Sequence, residues 1–407
     1  MQVLAHIVLW GSVLALAHTY VFYPLFMRWL ARGKKSNTEV FEPNDPDLPV
    51  VAVLMSVYNE ERVIAEKLDS LRNLNYPAEK LCIYIGSDCS DDRTAAIIAE
   101  QQPQFPVYRF QFFDFPERRG KPPVINELAR RALDDFQRRE PSARKDFLFL
   151  LTDASVMLEP DTLYRLVRHF KNPAIGVVDA HMRSAGVRTE GISRSEEQYL
   201  SGEVLLKHRE GLAWGMMIGP FGGCYAMRAG IFEPVPPQSL VDDFWLVFRV
   251  LEKGYQAIND LDAVCHEGAT HRVADEYRRK KRIAAGSFQN LVRFRRWVLP
   301  PVTRLGFAFF SHKVLRWFGG FFLLAAYLAL GVLACSSAFF QQLFGLLTAT
   351  GGTVLLWNYL QQKWRLKPVK LIKNAVYFFA MNVALMDGFF KWIRGILENT
   401  WQRTRRE

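Results

Sequence analysis

The chain has 407 residues, half of them hydrophobic, so it can form one large domain with a sizeable core and additional segments. The net charge of +11 does not by itself indicate nucleic acid as a partner, because Lys and Arg concentrate beside apolar segments, where anionic lipid head groups would attract them. The five cysteines show no C-x-x-C spacing, which argues against a zinc cluster or a disulfide scaffold and favours a reducing compartment.

The first predicted element is an apolar segment, Val3–Leu30, long enough to span a bilayer. Arg32, Lys34 and Lys35 follow it directly, and by the positive-inside rule the chain then emerges into the cytosol. A cleaved signal peptide is the competing interpretation, but no basic residue precedes the apolar run, and the hydrophobicity continues past the small residues that resemble a cleavage site. Residues 1–35 are therefore predicted to form an uncleaved transmembrane anchor.

Apolar runs, of which the first is rich in β-branched residues, predict the strands of a soluble domain over residues 36–298. The predicted strands are Pro49–Val57, Leu81–Ile85 and Asp146–Leu151. Helical stretches alternate with them, so the fold class predicted is α/β with a mostly parallel, doubly wound sheet. Ligands of such sheets bind at the carboxyl ends of the strands. Polar residues follow all three strands there, namely Asn59, Glu60, Asp88 and Asp153.

The region 299–316 alternates aromatic and basic residues, which predicts an amphipathic helix at the cytosolic membrane interface. An ordinary linker is the alternative. Two apolar runs, Trp317–Phe340 and Leu343–Leu360, are then predicted to form a transmembrane hairpin.

A third apolar run, Leu371–Phe390, is less clear. It contains Asn382 and Asp387 and has basic residues on both sides, so it either spans the membrane, re-enters it or lies along it. We assign residues 317–392 to membrane helices and 393–407 to a basic tail, which predicts a multi-pass protein of the inner cell membrane with a cytosolic soluble domain.

Two motifs after the predicted strands carry a family resemblance. The first is Val57-Tyr58-Asn59-Glu60-Glu61, and the second is the S-D-x-S-x-D-x-T sequence from Ser87 to Thr94. In this order they resemble the family-2 glycosyltransferases, in particular the membrane-anchored synthases related to cellulose, hyaluronan and poly-N-acetylglucosamine synthases. The resemblance covers roughly residues 49–300 and implies a GT-A-like, Rossmann-like domain that binds a nucleotide sugar.

The resemblance also implies the donor-binding residues. Ser56, Glu60 and Asp88 would contact the base and ribose of a nucleotide, expected to be uridine, and Asn59 belongs to the same nucleotide-sugar site. Carboxylates can accept hydrogen bonds from an imide N–H or from ribose hydroxyls. Lys121 matches the lysine of the family's G-K-x-x-x-L-N segment, which approaches the donor; a solvated loop lysine is the alternative.

A metal site is implied at Asp153. Family members carry D-x-D here, and the divalent cation, Mg²⁺ or Mn²⁺, neutralises the leaving diphosphate. This chain has Asp153-Ala154-Ser155, so one carboxylate is replaced by a hydroxyl. Ser155 would then be a neutral oxygen ligand or hold a metal-bound water. The alternative is that Asp153 and Ser155 only cap a helix.

The catalytic base is implied at the dipeptide Asp242-Asp243, which resembles the family's acidic pair at a helix start. By that match Asp243 takes the proton from the acceptor hydroxyl, and Asp242 lies on the acceptor side. Adjacent carboxylates at a helix N-terminus can alternatively stabilise the helix dipole. Gly222 and Gly223 match the family's glycine-bearing acceptor segment, since glycine lets the backbone approach a sugar closely.

The last family motif, Q-x-x-R-W, is placed at Arg279–Ile283. Arg282 retains the arginine that contacts the diphosphate, while the glutamine and the tryptophan that supports an acceptor sugar are absent. The alternative is a basic helix that contacts lipid head groups. The missing tryptophan makes a processive synthase less favoured than an enzyme that adds a single sugar.

The function predicted from these observations is an inverting glycosyltransferase. It would transfer a sugar from a nucleotide-diphosphate sugar, expected to be UDP-linked, to a glycan or lipid-linked acceptor in exopolysaccharide or cell-envelope glycan synthesis. Its expected partners are the nucleotide sugar, the acceptor, the lipid bilayer and subunits of a polysaccharide machine. A non-catalytic membrane subunit that retains the nucleotide-binding fold is the alternative.

Overall fold

The structure, a computed structural model, describes residues 1–105, 109–139, 147–185, 193–268, 273–364 and 369–395. It divides into two compact units. The first, the α/β unit, contains residues from Leu30 to Gly186 and from Ser201 to Ala269. The second, the helical unit, contains Met1–Trp29, Val187–Leu200 and Thr270–Leu397. The domain boundaries 36, 298, 316 and 392 drawn from the sequence stay predictions.

Eight strands form the sheet of the α/β unit. They are β1 (Val50–Val57), β2 (Leu81–Ser87), β3 (Arg109–Asp114), β4 (Phe147–Thr152), β5 (Val156–Leu158), β6 (Ile175–Ala185), β7 (Cys224–Arg228) and β8 (Gln256–Gly268). The α-helices of the chain are α1 (Gln2–Ala17), α2 (Tyr23–Leu30), α3 (Ile64–Arg72), α4 (Thr94–Gln101), α5 (Lys121–Arg139), α6 (Thr162–Val167), α7 (Ser193–Trp214), α8 (Asp242–Glu252), α9 (Val273–Arg293), α10 (Arg295–Val298), α11 (Arg304–Ala308), α12 (Leu315–Trp317), α13 (Gly319–Ala334), α14 (Ala338–Lys363) and α15 (Lys370–Ile393).

The strand order is β3-β2-β1-β4-β7-β6-β8-β5. Strands β1 to β4 run parallel, and β6 runs parallel to β8. Strand β7 is antiparallel to both β4 and β6, and β5 is antiparallel to β8. The predicted α/β class with a mostly parallel sheet is confirmed. The antiparallel strand β7 matters for the site because it brings the chain segment before Cys224 to the carboxyl end of β4.

The three strands predicted from sequence are present. Every residue of β2 and β4 is buried, as expected of strands covered on both faces. Helix α5 packs closely on β2, since a Cβ on Gly86 would lie 2.5 Å from Cγ1 of Val124. Burial of such aliphatic side chains stabilises the fold by roughly 1.5–3 kcal/mol each. Helix α3 follows β1 and begins at Ile64, after a turn closed by the hydrogen bond from Val63 N to Glu60 O.

In the described residues of the helical unit, three helical segments are long and apolar enough to cross a membrane. They are Gln2–Leu30, Ala338–Gln361 and Leu371–Ile393. A fourth candidate is the bent pair Arg304–Trp317 and Gly319–Ala334, whose axes differ by 62°. The predicted hairpin exists as α13 and α14, but its turn lies at 335–337 rather than near 341. Ser336 terminates α13 there by donating through its hydroxyl to Leu333 O.

The third apolar run is the helix α15, which packs on α9. The carboxylate of Asp387 accepts a hydrogen bond from the Tyr277 hydroxyl at 2.7 Å and lies 3.2 Å from Nζ of Lys281. Gly388 lets the two helices approach closely, because a Cβ there would lie 2.4 Å from Cβ of Ala284. The carboxylate of Asp387, the acidic group in this apolar run, is therefore paired within the helical unit. The basic tail beyond residue 395 lies outside the described residues.

Candidate active site

The donor side of the site begins at the carboxyl end of β1. Ser56 is paired in register with Gly86 of β2, and its side chain is buried. Its hydroxyl oxygen has no hydrogen-bond partner in the part of the chain that the structure describes. A buried hydroxyl without a partner is costly to a fold.

The residues after β1 and β2 hold two loops together. Asn59 adopts a left-handed conformation with φ 54°, and its amide oxygen accepts from Asp91 N at 3.0 Å. Glu60 N donates to the Thr94 hydroxyl at 2.7 Å. The fully buried Asp88 accepts from the backbone N–H groups of Arg119 and Gly120, at 2.6 and 2.9 Å. The structure thus brings these predicted donor residues together, with Asp88 ordering the loop that leads into α5.

The second feature is an ion-pair cluster that joins α5, β4 and α8. Nζ of Lys121 lies 2.7 Å from Oδ1 of Asp153 and 3.7 Å from Oδ2 of Asp242. Burial opposes the charge of Lys121, but the two aspartates outweigh it and raise its pKa. Lys121 is therefore the first residue of α5 and a partly buried partner of Asp153, not a solvated loop lysine.

Asp243 follows in the first turn of α8 and is partly buried. Burial and the neighbouring charge of Asp242 raise the pKa of Asp243 to about 7, although Lys121 acts in the opposite direction. A carboxyl with a pKa near neutrality can accept a proton at physiological pH and pass it on, which is what a general base requires. The two members of the acidic pair differ in environment, since Asp242 lies 3.7 Å from Nζ of Lys121 and Asp243 lies against Gly222.

The acceptor-side loop lies against Asp243. Gly222 has φ +88°, and a Cβ at this position would lie 2.1 Å from Oδ2 of Asp243. Only glycine combines this backbone conformation with so close an approach. At Gly223 a Cβ would lie 2.6 Å from the ring of Phe221 and 2.9 Å from Cγ2 of Val156. Gly222 therefore lies against the predicted base and Asp242 precedes that base in α8, whereas Gly223 packs against Phe221 and Val156.

The oxygen donors next to Asp153 fit a hard divalent cation. Lys121 already places a positive charge on this carboxylate, and Oγ of Ser155 lies 3.4 Å from Oε1 of Glu267 on the neighbouring strand β8. Mg²⁺ is commonly bound by one or two carboxylates together with substrate phosphates and water. Within the described ranges no three His, Cys, Asp or Glu side chains form a metal-binding group.

Comparisons with known proteins agree with this geometry. A family model described as Glycosyl transferase family 2 matches residues 52–232. A second, described as Glycosyl transferase family group 2, matches residues 148–390, which is more than half of the chain. The chain belongs to the family-2 glycosyltransferases. The resemblance inferred from the motifs is confirmed, and so is the assignment as an enzyme of the glycosyltransferase class.

Among curated relatives, this glycosyltransferase is 24% identical over 306 residues to a Beta-monoglucosyldiacylglycerol synthase of Nostoc, covering 74% of this chain and 61% of the relative. It is 25% identical over 175 residues to a Poly-beta-1,6-N-acetyl-D-glucosamine synthase of Staphylococcus epidermidis, covering 40% of this chain and 38% of that protein. The chain thus matches about three fifths or less of the length of these relatives.

A solved mannosyltransferase of Pyrobaculum calidifontis, in complex with GDP-Man and Mn²⁺, has the same fold. The TM-score is 0.69 with 21% identity, and the match covers 94% of this chain and 97% of that chain. This likeness extends the GT-A-like fold over nearly the whole glycosyltransferase, including helices outside the sheet.

Several polar residues around the site carried no signal in the sequence. Glu267 beside Ser155 is one, and the fully buried Lys67 of α3 is another. A third is Asp179, which is fully buried and accepts from Phe221 N at 2.8 Å and from Nζ of Lys207 at 3.1 Å. Isolated charged residues in amphipathic stretches read as surface positions, so only the three-dimensional contacts identify them.

Arg282 lies on α9, which belongs to the helical unit, so its predicted contact with the diphosphate stays a prediction. Two histidines lie near these motifs in the sequence and are conceivable metal ligands. His266 of β8 lies 2.8 Å from a carboxylate oxygen of Glu159, and His271 lies outside the described residues.

Proposed function

We propose that the protein is an inverting glycosyltransferase that transfers a sugar from a UDP-linked donor to a lipid-linked or glycan acceptor at the cytosolic face of a membrane. The observation that carries the proposal is the placement of Asp243. Burial and the charge of Asp242 raise the pKa of this carboxyl to about 7, the carboxyl lies against Gly222, and the charges of Lys121 and Asp153 act on it.

The proposed reaction follows from these positions. Ionised Asp243 takes the proton of the acceptor hydroxyl as that oxygen attacks C1 of the donor sugar from the face opposite the diphosphate. The bond from C1 to the diphosphate oxygen breaks, and the configuration at C1 is inverted. Gly222 lets the backbone lie against the base, and the ammonium of Lys121, 2.7 Å from Asp153, would stabilise the negative charge that develops on the leaving group.

A divalent cation, Mg²⁺ or Mn²⁺, belongs to the proposal. Asp153 and Ser155 would hold it, with Glu267 orienting Ser155 through their contact. When bound, the ion would neutralise part of the charge of the leaving diphosphate. The solved Pyrobaculum mannosyltransferase is described as a complex with Mn²⁺, which supports this assignment.

Separate observations bear on the donor and on the acceptor. The S-D-x-S-x-D-x-T motif favours uridine, while the solved mannosyltransferase contains GDP-Man, so a guanosine donor is the competing candidate. A lipid acceptor is supported by the name of the Beta-monoglucosyldiacylglycerol synthases and by the missing sugar-stacking tryptophan. Three helices long and apolar enough to span a bilayer would keep the enzyme next to such an acceptor.

The test is transfer by the purified full chain in detergent. UDP- and GDP-linked sugars are offered with diacylglycerol or short glucan acceptors, with and without Mg²⁺ or Mn²⁺, and release of nucleoside diphosphate is measured. We expect one UDP-sugar to be consumed in the presence of acceptor, and Asp243→Asn to abolish consumption. No turnover with any donor would favour the alternative of a non-catalytic membrane subunit.

A further inference from the structure

A lysine with no role in the proposed reaction is buried behind the donor side of the site. Lys67 lies on α3 with 0% of its surface exposed. Its ammonium donates to the Thr152 hydroxyl at 2.8 Å and to the backbone carbonyl of Val156. Both acceptors are neutral, so the desolvation of this charge is offset by hydrogen bonds and, in part, by the nearby charge of Asp153. A hydrophobic side chain of equal length would fill the position at lower cost.

The two acceptors flank the residues Asp153, Ala154 and Ser155, which we call the donor turn. Thr152 ends β4 immediately before the turn, and Val156 begins β5 immediately after it. The turn is closed by a hydrogen bond from Val156 N to Asp153 O at 3.2 Å. Lys67 therefore bridges the two ends of the turn from the side of α3.

The same contacts reach the acceptor side. The Thr152 hydroxyl donates to the carbonyl of Gly223 at 3.1 Å, and Asp153 N donates to that same carbonyl at 3.0 Å. Gly223 adjoins Gly222, which lies against Asp243. One continuous set of hydrogen bonds thus runs from Lys67 through Thr152 to the loop that touches the base.

We propose that Lys67 is a positioning residue: through Thr152 and Val156 it fixes the donor turn and the Gly223 carbonyl in register, and so sets the spacing between Asp153 and Asp243. This inference rests on the proposed function, which gives Asp153 the donor and Asp243 the acceptor proton. Rate is sensitive to such spacing, because misplacement of a reacting group by about 1 Å can lower it roughly 100-fold.

The environment of Lys67 supports a role of this kind. Burial lowers the pKa of Lys67 to about 8, while Cys224, Cys265 and Asp153 act in the opposite direction. An ammonium whose charge is disfavoured by its surroundings reduces the stability of the fold. Its presence is understandable if the three donors of an ammonium serve the site rather than the core.

The decisive variant is Lys67→Met, which keeps the length of the side chain and removes the charge. We expect the melting temperature to be unchanged or raised, because a buried charge is replaced by an apolar group. We expect kcat to fall roughly 10- to 100-fold with little change in the KM of the nucleotide sugar. Lys80→Met is the matched control, since Lys80 also donates to backbone carbonyls, those of Pro46 and Leu48, and should leave kcat unchanged.

A second variant tests the connection through Thr152. If Lys67 acts through this hydroxyl, Thr152→Val lowers kcat as well, and the double variant is hardly slower than Lys67→Met alone. Additive losses would overturn the proposed path. A Lys67→Met protein with wild-type kcat, or one whose lost activity only follows a lowered melting temperature, would overturn the positioning role.

Amide hydrogen exchange gives a measurement that does not depend on turnover. Lys67→Met should accelerate exchange in peptides containing residues 152–156 and 222–224, and leave peptides of β2 unchanged. Unchanged exchange at the turn would refute the inference even in an active enzyme. An inactive wild-type protein with accelerated exchange in the variant would instead refute the proposed function and leave the positioning of the turn established.

Discussion

Replacing Asp243 by asparagine tests the environment of the proposed base separately from its chemistry. The amide has nearly the shape of the carboxyl but no charge. Because one pKa unit corresponds to about 1.4 kcal/mol, raising the pKa of Asp243 from 3.8 to about 7 costs the folded, ionised protein up to about 4 kcal/mol. Solvent reaches part of the side chain, which makes this value an upper bound.

The sign of the pH dependence follows from the direction of the pKa change. Between about pH 4 and pH 7 folded Asp243 holds a proton that the unfolded chain releases, so the stability of the wild type falls as pH rises. Asp243→Asn cannot lose this proton. Its free energy of unfolding should therefore exceed that of the wild type by a margin that grows between pH 5 and pH 8, by about 3 kcal/mol at most. The difference in melting temperature should grow with it.

The assay is thermal unfolding of the purified chain in detergent at pH 5 and pH 8, with Asp262→Asn as control. Asp262 has 71% of its side chain exposed, and its replacement should give the same small difference at both pH values. If the margin for Asp243→Asn were equally independent of pH, the carboxyl would have an ordinary pKa. The argument that it is poised as a base near neutrality would then be wrong.

Further predictions concern the residues next to Asp243. Gly222→Ala should lower kcat more than tenfold, because its Cβ would collide with Asp243, whereas Gly254→Ala has a similar φ of +83° but open space around it and should cost only about 1–2 kcal/mol of stability. In pH profiles of kcat/KM, Lys121→Met should move the acidic limb to higher pH and Asp242→Asn should move it to lower pH, since these charges act on the pKa of Asp243 in opposite directions. Shifts of the same sign for both variants would contradict the electrostatic account.

The sequence predicted the donor half of the fold well because that half is built from local patterns. Strands such as β1 and β4 are short apolar runs followed at once by polar residues, and parallel pairing brings those residues to one edge. Strand β7 is different. Its place between β4 and β6 is set by antiparallel pairing with strands that lie far away in the sequence, and no local pattern reveals that.

Some residues of the candidate site could likewise be predicted from local motifs, and others could not. Asp153 and Asp243 could be singled out because they lie in motifs of recognisable order. The structure pairs Asp153 with Lys121 and raises the pKa of Asp243 to about 7, and the roles assigned to both residues stay predictions. Lys67 lies in a helix with alternating charged and apolar residues and reads as an exposed position, although it is fully buried. The turn between α13 and α14 is predicted near 341, where Gln341 and Gln342 interrupt the apolar stretch, but it lies at 335–337, where Ser336 and Ser337 follow α13.

The most direct test of inverting transfer with Asp243 as base is the anomeric configuration of the first product. The full chain in detergent is supplied with an α-linked UDP-sugar, Mn²⁺ and an acceptor, and the product is followed by proton NMR from the first turnovers. The account predicts a β-linked product from the wild type and none from Asp243→Asn. An α-linked product, or undiminished transfer by the variant, would contradict it.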